Sequence, residues 1–311
     1  MTVSGLARSP HGKSVADRFA LAVCPDIHDY CTLVTRGSGS SDIKMRIINQ
    51  VKKLPPIKAL RRQRRHRWFE SPWGYGAHHG VFSSFAEAAA AAPPDPHRFN
   101  DKKRALEYQD RLKRIFAYDY PILFWLQRIM SGSGPLRVLD IGGHVGVHYY
   151  AYGQYLEWHP EMTWRVCDVE EIVKAGRERA QEVGATALSF DTSFDNLDEK
   201  PADLVLSCGA LHYVEKPLLW EVLAKAQSRP AHVLFTKIPL YRGESFVSLQ
   251  NIGEGFSPHY VWNKTEFVKN FEASGYQLVN DWKVPDREFE IFDDPDRSFG
   301  AYSGMYLRRA S

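Results

Sequence analysis

Residues 137–150 read RVLDIGGHVGVHYY, an apolar run that ends in an acid and then passes through glycines into a helical pattern. Val138, Leu139 and Ile141 are typical of a buried strand. Glycine at the following turn lets the backbone approach a ligand closely, and the start of the next helix offers free amide donors. The segment therefore predicts a strand, a ligand-binding turn and a helix.

The sequence on either side continues this alternation of strand and helix. Strands are predicted at 136–141, 164–168, 186–190, 203–207 and 231–236, and helices from about 146, from about 170 and over 216–228. Such a rhythm predicts an α/β fold with a doubly wound, mostly parallel sheet. After a helix over 264–274, the strands at 276–284 and 300–308 follow each other directly, which predicts an antiparallel closing hairpin.

The spacing of the glycines separates two classes of nucleotide ligand. A dinucleotide-binding G-x-G-x-x-G in this register would require glycine at position 141, where the sequence has Ile141. Instead Asp140 stands two residues before Gly142, and a carboxylate there suits a cationic ligand, such as the ammonium group of methionine, better than a pyrophosphate. The alternative is a turn whose glycines serve packing alone.

Acidic and small residues end the later strands. Asp168 follows the second strand and is placed to bind vicinal ribose hydroxyls, with Glu170 as the competing candidate. Asp191 ends the third strand and could accept a hydrogen bond from an adenine amino group or cap a turn. Ser207 begins the small-residue end of the fourth strand, which we expect to open on the ligand crevice.

The order of these four segments resembles the class I, Rossmann-like S-adenosylmethionine-dependent methyltransferases over residues 136–310. The segments VLDIGG, WRVCD, LSCGALHYVEKP, FTKIPL and SPHYVWN are further similar to a family of methyltransferases from bacterial surface-polysaccharide gene clusters. The resemblance implies S-adenosylmethionine as cofactor, no metal, and a seven-stranded sheet with a reversed last strand. It also assigns Asp140, Gly142 and Gly146 to the methionine end of the cofactor, Asp168 to the ribose and Asp191 to the adenine. The predicted cofactor-binding residues further include Gly143 and His144 in the same loop and Ser207 at the crevice.

One residue departs from the pattern of that class, which commonly has a second spaced glycine where this sequence has His144. We expect either a differently placed loop or a His144 side chain that points at the cofactor or the substrate.

Histidines are the candidate bases for methyl transfer, because a hydroxyl acceptor must lose its proton. His212 is the first candidate and His148 the second, and for each a structural role is the alternative. Lys237, Tyr241 and His259 are expected to line the pocket from later loops. The predicted reaction is O-methylation of a sugar or glycoconjugate intermediate.

The N-terminal part differs in composition. Residues 1–43 are rich in glycine and serine and predict a disordered extension, 44–130 a basic, helical region, and 131–311 the methyltransferase domain. Residues 44–67 contain ten Lys or Arg and no acid. They predict either peripheral contact with a membrane surface or nucleic acid, or a solvated basic helix.

Several function classes are disfavoured by the sequence. The net charge of +3 predicts no polyanionic partner, and the Ser-Cys-Gly-Ala after the fourth strand differs from the Asn/Asp-Pro-Pro-aromatic turn of nucleic-acid N-methyltransferases. No apolar run spans a membrane and no leader is recognisable, so we expect a cytoplasmic protein, peripheral to the inner face of the membrane if the basic segment binds lipid. An RNA methyltransferase and a non-catalytic cofactor-binding protein are the alternatives.

Overall fold

The structure is a computed structural model, and the residues it describes are 55–93, 112–132, 134–253, 255–291 and 294–310. The chain divides into two compact units, Met1–Gln63 and Arg64–Ser311. Of the first unit, residues 55–63 are described, as the beginning of a helix. The extension expected at 1–43 and the basic residues 44–54 lie outside the described ranges.

Seven α-helices and eleven strands are named here. The helices are α1 (Pro55–Glu70), α2 (Phe85–Ala90), α3 (Tyr120–Met130), α4 (Val147–Tyr152), α5 (Glu170–Glu182), α6 (Leu219–Lys225) and α7 (Lys264–Ala273). The strands are β1 (His78–Phe82), β2 (Arg137–Ile141), β3 (Thr163–Cys167), β4 (Leu188–Asp191), β5 (Leu204–Cys208), β6 (His232–Ile238), β7 (Leu240–Tyr241), β8 (Phe246–Asn251), β9 (Phe256–Asn263), β10 (Tyr276–Val284) and β11 (Tyr302–Arg309).

A seven-stranded sheet forms the centre of the unit Arg64–Ser311, in the order β10-β11-β6-β5-β2-β3-β4. The pairs β5–β6, β2–β5, β2–β3 and β3–β4 are parallel, whereas β11 is antiparallel to both β6 and β10. The predicted doubly wound, mostly parallel sheet with a reversed last strand is therefore confirmed, and β10 and β11 form the predicted antiparallel hairpin.

Alternate residues of the central strands pack against opposite helical layers, because successive side chains of a strand point to opposite faces. Leu139 and Val205 belong to one core with α6 and α7. Val138 and Leu204 belong to a second core with α3, α4 and α5. Both faces of the sheet are thus buried, which is the arrangement that a parallel sheet requires.

A second sheet, with strand order β1-β8-β9-β7, was not predicted from the sequence. β8 is antiparallel to β1 and β9, and β7 runs parallel to β9. Tyr241 therefore lies in β7 and His259 in β9, and the prediction that both lie in loops is wrong. These strands carry polar residues on buried positions, such as Ser248, Asn251 and His259, so they lack the apolar pattern by which buried strands are recognised.

Proline determines two helix boundaries. The helix predicted from 216 begins at Leu219, since Pro217 and Leu218 are extended or turn residues before it. Helix α3 begins at Tyr120, and Pro121 occupies its first turn, where the missing N–H costs no hydrogen bond. Among the residues described, no helix combines the length and the apolar character needed to cross a bilayer.

Candidate active site

A cavity of about 980 Å³ opens at the carboxyl ends of the central strands. Residues that follow β2, β3, β4 and β5 line one part of it, together with Lys237 near the end of β6, and residues of the second sheet line another. The chain continues from β2 to β3 and β4 on one side and to β5 and β6 on the other, so the cavity lies where the strand order reverses. This switch point is where open α/β sheets bind their ligands.

The loop after β2 is shaped by glycines. Gly142 has φ 74°, and a Cβ at this position would lie 2.0 Å from the Cβ of Ala210, in the segment that follows β5. Only glycine permits the two segments to approach so closely. Gly146, with φ 92°, then begins α4, and His144 between them has φ 55° although it is not glycine.

Asp168 holds this loop in place from the end of β3. Its Oδ2 accepts a hydrogen bond from the backbone N–H of His144 at 2.9 Å, and its Oδ1 accepts one from the N–H of Val169 at 2.8 Å. Burial raises the pKa of Asp168 to about 6, against the effect of these two donors. Asp168 lines the cavity, and so does the competing candidate Glu170.

Asp140 lies beneath the loop and not on the cavity wall. It is completely buried, and its carboxylate contacts Nδ1 of His148 at 2.9 Å and accepts a hydrogen bond from Nε1 of Trp164 at 3.1 Å. A Cβ on Gly143 would lie 2.3 Å from the same carboxylate. Asp140 is therefore occupied by protein partners, and its predicted contact with the ammonium group of the cofactor stays a prediction.

His148, in contrast, lines the cavity from α4. Burial lowers the pKa of an imidazole, but the charges of Asp140 and Cys208 and their hydrogen bonds hold the pKa of His148 well above its usual value. The imidazole is therefore protonated at neutral pH.

Asp191 and Ser207 are not among the residues that line the cavity. Asp191 pairs with Lys200 (Oδ2 to Nζ, 2.5 Å) and lies 3.7 Å from Arg165, and the pKa of Asp191 is lowered because these cations and a backbone donor outweigh its burial. Ser207 is buried and donates to the backbone oxygen of Ile141 at 3.1 Å, which ties β5 to β2. The predicted contacts of both residues with the cofactor remain predictions.

Three histidines from different elements converge at the end of the cavity next to the second sheet. The ring centroids of His78 and His259 are 4.9 Å apart, and those of His212 and His259 are 5.6 Å apart. Burial and the neighbouring histidines lower the pKa of His78, and burial lowers that of His259 to about 3. Burial, His259 and the cations Lys237 and Arg287 lower the pKa of His212, so all three rings are neutral at pH 7.

Both predicted bases line the cavity, and His212 differs from His148 in that one of its ring nitrogens has no hydrogen-bond partner. His212 is 3% exposed, and its Nδ1 has no hydrogen-bond partner among the residues described. A neutral imidazole that lines a cavity and has an unpaired nitrogen can accept a proton.

The structure thus divides the residues predicted from the sequence into two groups. Five line the cavity: Gly142, His144, His148, Asp168 and His212. Five support it from behind or lie beside it: Asp140, Gly143, Gly146, Asp191 and Ser207.

Other lining residues were missed by the sequence prediction, including Tyr118, Asp119, Thr192, Phe194, Arg287 and Tyr302. Thr192 and Phe194 follow Asp191 directly, so the position after a parallel strand is a signal that could have found them. Asp119 accepts from the hydroxyl of Tyr152 at 2.9 Å, a contact between positions 33 residues apart that no local pattern indicates.

This chain is similar in structure to several solved proteins. No protein-family model matches the sequence. No curated protein matches it either. Each of the following solved proteins shares less than a fifth of its residues with this chain, and at such identities the similarity is one of fold alone.

Three of these structures are methyltransferases or were solved with S-adenosylhomocysteine. The 1,6-didemethyltoxoflavin-N1-methyltransferase of Burkholderia thailandensis, solved with 1,6-didemethyltoxoflavin and S-adenosylhomocysteine, is 17% identical over 71% of this chain and 94% of that chain (TM-score 0.42). The N-terminal domain of EvdMO1, solved in the presence of S-adenosylhomocysteine and D-fucose, is 14% identical over 68% and 95% (TM-score 0.43). The magnesium protoporphyrin IX methyltransferase of Synechocystis PCC 6803, with S-adenosylhomocysteine bound, is 15% identical over 70% and 90% (TM-score 0.40).

Proposed function

We propose that this protein is an S-adenosylmethionine-dependent methyltransferase. The observation that carries the proposal is the joint placement of the Gly142 turn and Asp168 on one cavity at the switch point of the sheet. The residues fit the cofactor, because the cavity has an acid at the end of β3 for ribose hydroxyls and a turn where only glycine fits. Its volume is in the range of small-molecule sites and at the upper end of that range.

Within this proposal, each end of the cofactor has residues near it. Asp168, with Glu170 as the alternative, holds the ribose, and the segment around Thr192 and Phe194 lies at the adenine end, next to the predicted Asp191. Gly142 and His144 face the methionine end. When bound, the cofactor supplies a methyl group on a sulfonium.

The acceptor is proposed to be a hydroxyl of a sugar or glycoconjugate, deprotonated by His212. The bound cofactor would supply the methyl group to the acceptor oxygen, and the imidazole of His212 would take up the hydroxyl proton. His212 suits this role because it is neutral and faces the cavity. His148 is held protonated by Asp140, so we assign it a positioning role instead.

The setting of the reaction is a further part of the proposal. The role in surface-polysaccharide synthesis, together with a cytoplasmic location, rests on the sequence resemblance. Peripheral contact of 44–67 with the membrane is supported by the exposure of Arg64 and Arg67 and of the indoles that follow, Trp68 (40% exposed) and Trp73 (84% exposed). Cations beside exposed indoles favour an anionic lipid interface.

Calorimetric titration with S-adenosylhomocysteine, beside an NAD control, tests the cofactor. We expect micromolar binding of S-adenosylhomocysteine alone, a range typical of specific small-molecule sites. Absence of binding would refute the proposal. Saturable NAD binding instead would indicate a dehydrogenase.

Transfer of a labelled methyl group from S-adenosylmethionine to sugar-containing extract fractions tests the reaction. We expect His212→Gln to lower the transfer rate by about 10²- to 10⁴-fold while cofactor affinity stays unchanged, because a general base contributes this much. His159→Gln is the matched control, since His159 is exposed and lies outside the cavity. Cofactor binding without transfer to any fraction would favour the non-catalytic alternative, and transfer to RNA would favour the RNA methyltransferase.

A further inference from the structure

We propose that Lys237 and Arg287 form an oxyanion-binding subsite for the acceptor, so that the substrate class is an acidic sugar, one that carries a carboxylate or a phosphate. The inference rests on the proposed function, because it assigns the part of the cavity next to His212 to the acceptor. Both cations line that cavity, together with His212 and Tyr302.

Lys237 is held in the cavity at a cost in backbone energy. Its φ is 57°, and Lys237 and His144 are the two non-glycine residues with left-handed φ in the described ranges. A non-glycine residue in this region costs about 1–3 kcal/mol and persists where the surrounding structure imposes it, often at a functional site. Both residues line the same cavity, which indicates that the strain serves the site.

The side chain of Lys237 is guided by two neighbours. Its Nζ lies 4.4 Å from the centroid of the Tyr118 ring, within the range of a cation–π interaction. A Cβ on Gly209, which has φ 95°, would lie 3.0 Å from the Lys237 Cε, so glycine at the end of β5 leaves the space that the lysine stem occupies. The ammonium group is therefore directed along the cavity wall by the local structure.

Arg287 supplies the second positive charge from the connection between β10 and β11. Its backbone is fixed, since its N–H donates to Val284 O at 3.2 Å and its carbonyl accepts from Tyr302 N at 2.8 Å. Among the residues described, its guanidinium forms no ion pair. An exposed guanidinium at a cavity is a suitable partner for a carboxylate or phosphate.

The charge balance around His212 favours an anion over a neutral sugar. The histidine cluster is neutral, and the charged groups that act on His212 are Lys237 and Arg287. Five carboxylates also line the cavity, those of Asp119, Asp168, Glu170, Asp195 and Glu288. Asp119 is occupied by Tyr152 and by the N–H of Phe116, and Asp168 by the N–H groups of His144 and Val169. An acceptor anion held by the two cations would bring the sugar to the part of the cavity that His212 also lines.

Calorimetric titration tests whether this subsite binds anions. The four ligands are glucuronate, glucose 1-phosphate, inorganic phosphate and glucose. Each is titrated with and without saturating S-adenosylhomocysteine. We expect at least one of the two acidic sugars to bind at least about tenfold more tightly than glucose, because charge-assisted hydrogen bonds are the stronger ones. Tighter binding of glucuronate would identify a carboxylate as the bound group. Tighter binding of glucose 1-phosphate, together with binding of inorganic phosphate, would identify a phosphate.

Variants assign the binding to the two cations. Lys237→Met is expected to lower the affinity for the acidic sugar at least about tenfold, whereas Lys237→Arg should retain most of it. Arg287→Gln should also lower this affinity, and it leaves the strained backbone at position 237 unchanged. Lys283→Met, an exposed lysine of β10 outside the cavity, removes the same charge and is expected to change nothing.

Equal affinity for glucose and the acidic sugars, or unchanged affinity in both Lys237→Met and Arg287→Gln, would overturn the inference. If S-adenosylhomocysteine binds and these selectivities are absent, the subsite is wrong while the proposed function stands. If S-adenosylhomocysteine does not bind, the proposed function fails, and the titrations without it still report on the subsite.

Discussion

The carboxylate of Asp140 and Nδ1 of His148 are 2.9 Å apart, and both side chains are buried beneath the glycine loop. Asp140 is the penultimate residue of β2 and His148 lies in the first turn of α4, so this pair connects the two elements across the ligand-binding turn. It acts on the site through the position of the loop and through the charge of the imidazole on the cavity wall.

Replacing His148 by glutamine is expected to lower the free energy of unfolding by about 3–5 kcal/mol, because Asp140 would remain buried without its cation. Since the folded pKa of His148 is raised, its contribution is fully present below the unfolded pKa of about 6.5 and is lost as pH rises through the folded pKa. Urea unfolding of the wild type and His148→Gln at pH 6 and pH 9 measures both effects. A loss below about 1 kcal/mol, or an unchanged pH dependence, would contradict this account.

Gly142→Ala is expected to abolish cofactor binding. The new methyl group would lie 2.0 Å from the Cβ of Ala210, so the loop after β2 and the segment after β5 would have to separate at the cavity. Gly184→Ala is the matched control, because Gly184 has φ 67° but nothing within 4 Å of its added Cβ. Gly184→Ala introduces the left-handed backbone strain of roughly 1 kcal/mol without a steric clash. It should therefore bind S-adenosylhomocysteine normally in calorimetry. Normal binding by Gly142→Ala would show that the close contact is unnecessary.

The central sheet was predictable because its signals are local. Residues 137–150 contain the strand, the turn and the helix within one short segment, and the predicted strand at 203–207 corresponds to β5 at Leu204–Cys208. The fold class follows from the repetition of such segments.

The distribution of contacts around the site could not be predicted in the same way. Asp191 stands at a strand end as Asp168 does, but Lys200 and Arg165 bind its carboxylate away from the cavity. The second sheet was missed because β1 pairs with β8, some 170 residues later in the sequence, and such pairings leave no local pattern.

Cofactor affinity is expected to fall at acid pH through Asp168. Its carboxylate accepts hydrogen bonds best when ionised, and its pKa is raised to about 6, so affinity for S-adenosylhomocysteine should drop about tenfold between pH 7.5 and pH 5. Asp168→Asn should bind weakly with a flat pH profile, measured by calorimetry. Glu170→Gln is the matched comparison on the same cavity wall; if that variant, and not Asp168→Asn, flattens the profile, Glu170 is the ribose ligand.

The buried histidine cluster is expected to make the protein sensitive to acid. Because burial lowers the folded pKa of His259 to about 3, the unfolded chain binds the additional proton below pH 6.5, and stability falls as pH falls from that value. At about 1.4 kcal/mol per pH unit, His259 alone accounts for roughly 2 kcal/mol between pH 6.5 and pH 5.

The measurement is urea unfolding at pH 7 and pH 5, with His259→Leu beside the wild type. The variant should lose roughly 2 kcal/mol less than the wild type on acidification, whatever its stability at pH 7, because the apolar residue binds no proton in either state. His159 is exposed, so His159→Gln should show the same change in unfolding free energy between pH 7 and pH 5 as the wild type. The raised pKa of Asp168 acts in the opposite direction, but it is common to all three proteins and cancels in the comparison. Parallel slopes for His259→Leu and the wild type would mean that His259 does not remain neutral in the folded protein.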